Sequence, residues 1–222
     1  IDSVKYNKIM YMSSEKTDSN VKEYKKNILS LNPLIYTIDD FLSEEECNYF
    51  LEKAKNSNMK RGAVNSKDGK NPIQSLRTNS VLWVKHNDNK ITLEVGNRLA
   101  ELAEYPLENA EPFQVVHYKP GEKYELHYDA QLDYVHSEKS KGQRMVTTLV
   151  YLNDVEQGGT TWFSKFGSFG IHVKSKKGKL LLFHNADKET FKVLPMSQHA
   201  GCAPINGEKY AFNLWFRNKS FC

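Results

Sequence analysis

Long apolar runs are missing from this sequence. No stretch approaches the roughly 20 consecutive apolar residues that a membrane-spanning helix needs, and no charged-then-apolar leader opens it. The chain begins at Ile1 rather than Met. A leader or anchor ahead of it is therefore left open, and with it the choice between endoplasmic reticulum lumen and cytoplasm. Cysteine is scarce. Cys47, Cys202 and Cys222 match no zinc spacing and are too few for a disulfide framework. They read as free, partly buried thiols with room for one bridge. Charge of one sign is lacking too: 31 Lys and Arg face 27 Asp and Glu, a net charge of +4. The basic residues are scattered, so no nucleic-acid arm is expected and no nucleic-acid partner is inferred. What is present is ordinary globular composition, 39% hydrophobic and 12% aromatic, which excludes a disordered chain.

Residues 1–33 are polar with weak periodicity and read as an extension, mobile or loosely docked. Residues 34–222 then read as one domain. Leu34-Ile-Tyr-Thr-Ile38 has strand character after Pro33. Ser43-Glu44-Glu45-Glu46 has the form of a capping box, so a helix is predicted from there to about Asn56. A second helix is predicted over Lys90–Ala103, capped by Asp88 or Asn89, with Ile91, Val95, Leu99 and Leu102 on one face. A strand is predicted at 81–84. From Phe113 the texture changes to short β-branched and aromatic runs, at 113–118, 124–128, 145–152, 160–163, 170–174, 180–184, 191–194 and 210–216. Strands at this spacing predict a sandwich or barrel. The expected class is α+β, mainly β, with the two helices packed on one sheet so that both apolar faces share a core. The polar segments 57–78 and 130–143 are long for loops in a compact domain and are expected to cover a binding site.

His127-Tyr128-Asp129 is the first chemical feature. In an extended strand, side chains two apart project from one face, so both can reach one cation. Two His and one carboxylate with open positions suit non-haem iron(II). An H-x-D tripeptide is weak by itself, however, because a surface ion pair gives the same pattern. The third ligand is left open among the remaining histidines at 86, 117, 136, 172, 184 and 199.

The C-terminal segment adds a second feature. Asn206-Gly207 is a hairpin-turn signal. In the strand that follows, Tyr210, Phe212, Leu214 and Phe216 form an apolar face, while Lys209, Ala211, Asn213 and Trp215 form the other. A lysine inside a β-structure needs an anion to face. At a sheet edge it would simply face water, and both readings stand at this point.

Larger motifs carry a resemblance. Gln114-Val-Val-His-Tyr118, Gly121-Glu-Lys-Tyr124-Glu-Leu-His127-Tyr-Asp129, Arg77-Thr-Asn-Ser80, Leu149-Val-Tyr-Leu-Asn153, Gly158-Gly-Thr-Thr161-Trp-Phe163, Lys177-Gly-Lys-Leu-Leu-Leu-Phe183 and His199-Ala-Gly-Cys202 before Gly207-Glu-Lys209 occur in order from about 34 to 217. Together they resemble prolyl 4-hydroxylases of the plant, algal and collagen-modifying type. The resemblance implies a double-stranded β-helix, or jelly roll. It implies iron(II) on His127, Asp129 and His199, and 2-oxoglutarate as co-substrate with its distal carboxylate on Lys209. Tyr118 and Thr161 would hydrogen-bond that co-substrate. Arg144, Trp215 and Tyr124 would lie on the substrate side. Dioxygen would be the second co-substrate, ascorbate the reductant, and a proline-containing peptide or protein the partner.

The pattern departs from the family at Lys165-Phe-Gly-Ser-Phe169, where members often carry a cysteine to pair with the one matched by Cys202. Phe212 and Phe216 also stand where other residue types are common. Two alternatives remain: the same oxygenase chemistry on a lysyl residue, a small molecule or an alkylated base, and a jelly-roll binding module without catalysis. The second would predict a damaged ligand set or a missing Lys209, and the sequence carries neither.

Overall fold

The structure is a computed structural model that describes residues 23–62, 76–135 and 141–221. In chain order its elements are β1 (Asn27–Leu31), β2 (Leu34–Ile38), α1 (Glu44–Lys55), β3 (Lys60–Arg61), β4 (Ser80–Val84), α2 (Lys90–Ala103), β5 (Phe113–Tyr118), β6 (Tyr124–His127) and β7 (Arg144–Tyr151). There follow β8 (Gln157–Gly158), β9 (Thr161–Phe163), β10 (Ile171–Val173), β11 (Leu180–His184), β12 (His199–Gly201), β13 (Pro204–Asn206) and β14 (Lys209–Arg217). Eight strands form one sheet in the order β1-β2-β11-β7-β14-β5-β4-β3. Four more form a second sheet, β10-β9-β12-β6, and β13 pairs with β8. The pairings among these strands are antiparallel, as expected for a jelly roll.

The period-2 alternation of the central strands sorts their side chains into two cores. Tyr36, Ile38, Val115, Val150, Leu180, Leu182, Phe212 and Leu214 pack with Phe50, Val95 and Leu99 of the helices. Their neighbours Ile35, Val116, Tyr118, Leu149, Tyr151, Leu181, Phe183 and Ala211 pack the other way, against Phe163 and Val173 of the smaller sheet. The large sheet is thus covered on both faces, which explains unbroken apolar runs such as Leu180-Leu-Leu-Phe183.

Both helix starts follow the sequence. Ser43 Oγ accepts from the Glu46 backbone N–H at 3.2 Å, and Glu46 Oε2 accepts from the Ser43 N–H at 2.9 Å. Asn89 rather than Asp88 caps α2 through the Thr92 N–H at 2.9 Å. Arg98 of α2 pairs with Glu46, tying the helices together.

Four expectations change. The polar extension does not run to residue 33, because Asn27–Leu31 pairs with Leu34–Ile38 as the edge of the large sheet; residues 1–22 lie outside the described residues. The run 191–194 is no strand and makes one isolated bridge, Ala186 to Val193. There Asp187 Oδ1 accepts from the Thr190 N–H at 2.8 Å and from its hydroxyl at 2.7 Å, bending the chain into a turn. At Asn206-Gly207 the chain bends just after β13, with Gly207 at φ +78°, but does not form a hairpin. β13 before it pairs with β8 and β14 after it pairs with β5 and β7, so the chain changes sheets there. Finally, β6 stops at His127, and Asp129 follows in a bend. Of the expected covers, 63–75 and 136–140 lie outside the described residues.

Candidate active site

β6 and β12 are paired in the small sheet, with His127 directly opposite His199. That register brings together two histidines 72 positions apart in the chain, and the bend after β6 returns Asp129 to them. One ligand atom from each of the three lies within 4.8 Å of the others, and no second such group occurs among the described residues. His127 Nε2 is 3.5 Å from Asp129 Oδ1, and His199 Nε2 is 3.7 Å from Asp129 Oδ2.

The remaining ring nitrogens settle what this cluster can hold. His127 Nδ1 lies 2.7 Å from the Glu125 carbonyl, and His199 Nδ1 lies 2.9 Å from the Ser197 carbonyl. A carbonyl only accepts, so each Nδ1 carries the proton and each Nε2 presents a lone pair inward. Burial, with the facing His127 second, pulls the His199 imidazole down to about 4, so it stands neutral at pH 7. Burial alone would raise the Asp129 carboxyl, but the His199 and His127 rings and the Arg144 guanidinium reverse the sign and hold it below the ordinary carboxylate range. Two imidazole lone pairs and a carboxylate converge on one space. That donor set fits a divalent first-row metal, iron(II) included.

The cavity that contains the triad also contains Lys209. Lys209 is 2% exposed and pairs with Tyr118 in the interior of the large sheet, so the sheet-edge reading is excluded. Its Nζ sits 5.2 Å from the Tyr118 ring centroid and 5.3 Å from that of Tyr151, a cation between two π faces. Among the described residues no carboxylate pairs with it. Burial pushes its ammonium down to about 8. A small carboxylate entering the cavity would restore the missing partner.

Tyr118 and Thr161 line the same cavity. Gly201 permits this, because a Cβ there would stand 3.0 Å from the Tyr118 hydroxyl. Thr161 Oγ1 accepts from the Tyr151 hydroxyl at 2.7 Å. Tyr124 and Trp215 are lining residues too. The Tyr124 ring stacks on His127 at 3.5 Å between centroids, with the Arg77 guanidinium 4.6 Å from its own centroid. Arg144 does not line the cavity. It grips Glu111 with both guanidinium arms, at 2.5 and 2.8 Å, and lies 3.8 Å over the Trp215 ring, whose Nε1 is buried without a partner.

Sequence reading missed Tyr151, Asn213, Gln114 and Thr147. Gln114, Asn213 and Thr147 are polar residues on otherwise apolar inward positions, and that break in alternation was the available signal. The other described histidines stand elsewhere: His86 on the Glu111 carbonyl, His117 on Glu208, His172 beside Trp162, and His184 half-buried near Lys188. His136 lies outside the described residues. Cys47 and Cys202 are free thiols.

Residues 113–217 match the family model of the 2OG-Fe(II) oxygenase superfamily. Probable prolyl 4-hydroxylase 10 of Arabidopsis thaliana is 35% identical over 90% of this chain and 74% of its own length. The chain belongs to the prolyl 4-hydroxylase family. Prolyl 4-hydroxylase 5 of the same plant is 33% identical over 87% of the chain and 72% of its own length. A viral collagen prolyl hydroxylase from Paramecium Bursaria Chlorella virus-1, solved as a 2OG complex, superposes with a TM-score of 0.64 at 30% identity, covering 82% of this chain and 95% of that one. This prolyl 4-hydroxylase family member is thus an oxidoreductase that uses iron(II) and 2-oxoglutarate, and its jelly roll is the family's fold. No helix among the described residues is long and apolar enough to cross a membrane.

Proposed function

We propose that this protein hydroxylates peptidyl proline at carbon 4, with His127, Asp129 and His199 as the iron ligands and Lys209 as the anchor of 2-oxoglutarate. The observation that carries this is one cavity lined by both an inward-facing His-Asp-His cluster and a buried, anion-deprived lysine. In balance, proline, dioxygen and 2-oxoglutarate give 4-hydroxyproline, succinate and carbon dioxide. Bound iron(II) would supply dioxygen activation coupled to decarboxylation of the co-substrate, with ascorbate as reductant.

The chain's own residues hold and orient the reactants. Lys209 would take the distal carboxylate as a compact point charge, with Tyr118 and Thr161 donating beside it. Because Lys209 is buried, that charge-assisted contact is stronger than it would be in water. The Trp215 and Tyr124 rings, both lining the cavity, offer apolar surface to a puckered prolyl ring. Arg144 would act on the substrate side through Trp215, over whose ring it lies. The substrate peptide would enter extended or in polyproline II form, where little ordering entropy is left to lose.

The test is a panel of proline-rich, lysine-containing and proline-free peptides incubated with iron(II), 2-oxoglutarate and ascorbate. Succinate release stimulated by prolyl peptides, with a product heavier by one oxygen atom at proline, is the expected result. Succinate release stimulated only by lysyl peptides or small molecules would refute prolyl specificity.

A further inference from the structure

Behind Asp129 lies a pair of buried residues that do not touch the cavity. Thr147 sits on β7 between Phe183 of β11 and Trp215 of β14. Its hydroxyl is 2.7 Å from Asp129 Oδ2. Asn185, just past β11 and fully buried, places its side-chain amide nitrogen 2.7 Å from the same Thr147 oxygen.

The direction of these bonds is forced. An ionised carboxylate only accepts, so the single Thr147 proton points at Asp129. The Thr147 oxygen then has only lone pairs left, and Asn185 must present its NH2. With the amide flipped, Asn185 Oδ1 would draw the Thr147 proton away and leave Asp129 without its donor. As placed, Asn185 Oδ1 is buried with no hydrogen-bond partner. An unpaired buried carbonyl is normally selected against; here it follows from the direction that Asp129 requires.

Asn185 also reaches the second histidine. Its carbonyl accepts from the Leu194 N–H at 2.9 Å, the Leu194 carbonyl accepts from the Ser197 N–H at 2.9 Å and from its hydroxyl at 2.8 Å, and the Ser197 carbonyl in turn accepts from His199 Nδ1. Its own N–H donates to the Met145 carbonyl at 2.8 Å, fixing it to β7. One buried residue therefore braces Asp129 through Thr147 and His199 through the Leu194–Ser197 turn.

We propose that Thr147 and Asn185 are positioning residues that hold the Asp129 carboxylate in one orientation for the divalent metal, and so set how tightly that metal is retained. The inference rests on Asp129 being a metal ligand, as proposed above. Partners of this kind typically change metal affinity about 10- to 100-fold when removed.

The experiment titrates the metal-stripped full chain with Mn²⁺ alone by calorimetry, alongside melting temperatures without metal. Thr147→Val keeps the shape and loses the donor, and its dissociation constant for Mn²⁺ should rise about 10- to 100-fold. Thr147→Ser restores the donor and should recover most of that loss. Asn185→Asp replaces a donor with an acceptor that competes for the Thr147 proton, and should weaken Mn²⁺ as Thr147→Val does. It carries the test alone should Thr147→Val not fold. Unchanged Mn²⁺ affinity in Thr147→Val or Asn185→Asp, or no recovery in Thr147→Ser, would overturn the proposal. Failure of both Thr147→Val and Asn185→Asp to fold would assign the pair to stability and overturn it as well. Asp129→Ala separates the two claims. If it binds Mn²⁺ like the parent, the ligand assignment fails; if it loses Mn²⁺ while Thr147→Val does not, only the role of the pair fails.

Discussion

Replacing Lys209 with methionine should make the empty protein more stable and the enzyme nearly inactive at ordinary 2-oxoglutarate. Methionine keeps most of the stem's volume and removes the charge. Lys209 is 2% exposed, with its ammonium between the Tyr118 and Tyr151 rings, and burial depresses it from 10.5 to about 8. That gap corresponds to roughly 3 kcal/mol against the charged form. Between about pH 8 and 10.5 the unfolded chain binds the proton that the folded chain has lost, so stability rises with pH across that window. At pH 7 the whole penalty is present, and Lys209→Met removes it. For a chain of this size, 3 kcal/mol raises the melting temperature by about 6–12 °C.

Binding should move the opposite way. Truncating one partner of a buried charged pair costs about 2–5 kcal/mol, so the KM for 2-oxoglutarate should rise about 30- to 4000-fold, with the peptide KM little changed. In the parent enzyme, 2-oxoglutarate affinity should weaken above about pH 8, because the lysine must regain its proton to meet the carboxylate. Thermal scans without metal or co-substrate, and succinate release against each substrate in turn, make the measurement. A Met variant that melts below the parent, or that raises both KM values equally, would refute this account of Lys209.

Other substitutions probe the same cavity. Asp129→Ala should abolish turnover while circular dichroism and thermal unfolding stay close to the parent, since the carboxylate faces the cavity rather than the helix-covered core; retained hydroxylation would remove Asp129 from the ligand set. Gly201→Ala places a Cβ 3.0 Å from the Tyr118 hydroxyl, so that ring must give by a few tenths of an ångström. The KM for 2-oxoglutarate should rise several-fold, and an unchanged value would show that Tyr118 does not touch the co-substrate. Trp215→Leu should raise the peptide KM about 5- to 150-fold, the equivalent of ~1–3 kcal/mol for a lost aromatic contact, with 2-oxoglutarate KM held. The reverse pattern in steady-state kinetics would move Trp215 to the co-substrate side.

Local chemistry was readable in the chain wherever it acts over a few residues. The Ser43–Glu46 capping box, the Asn89 cap and the apolar stripe of α2 closed as the residues specify, because each is satisfied within one helical turn. The alternation of β14 correctly separated a helix-facing side from a cavity side carrying Lys209. Asn206-Gly207 shows where such reasoning stops. The dipeptide dictates a turn, but whether the next strand folds back or crosses to another sheet depends on which edge lies open there. The same holds for Asn27–Leu31, a weakly patterned strand that exists because Leu34–Ile38 offers it an edge.

The functional site divides along the same line. The sequence by itself set His127 and Asp129 two apart and put Lys209 on the face of the last strand opposite its apolar one, inward or at an edge. Tertiary structure decided everything that depends on distant partners. Strand register set His199 against His127 across 72 residues. Backbone carbonyls turned both Nε2 atoms inward. Burial between two tyrosines left Lys209 without an anion. Pairings between distant strands and the loss of water around a charge have no local sequence signal, because both arise only when the sheets close on each other.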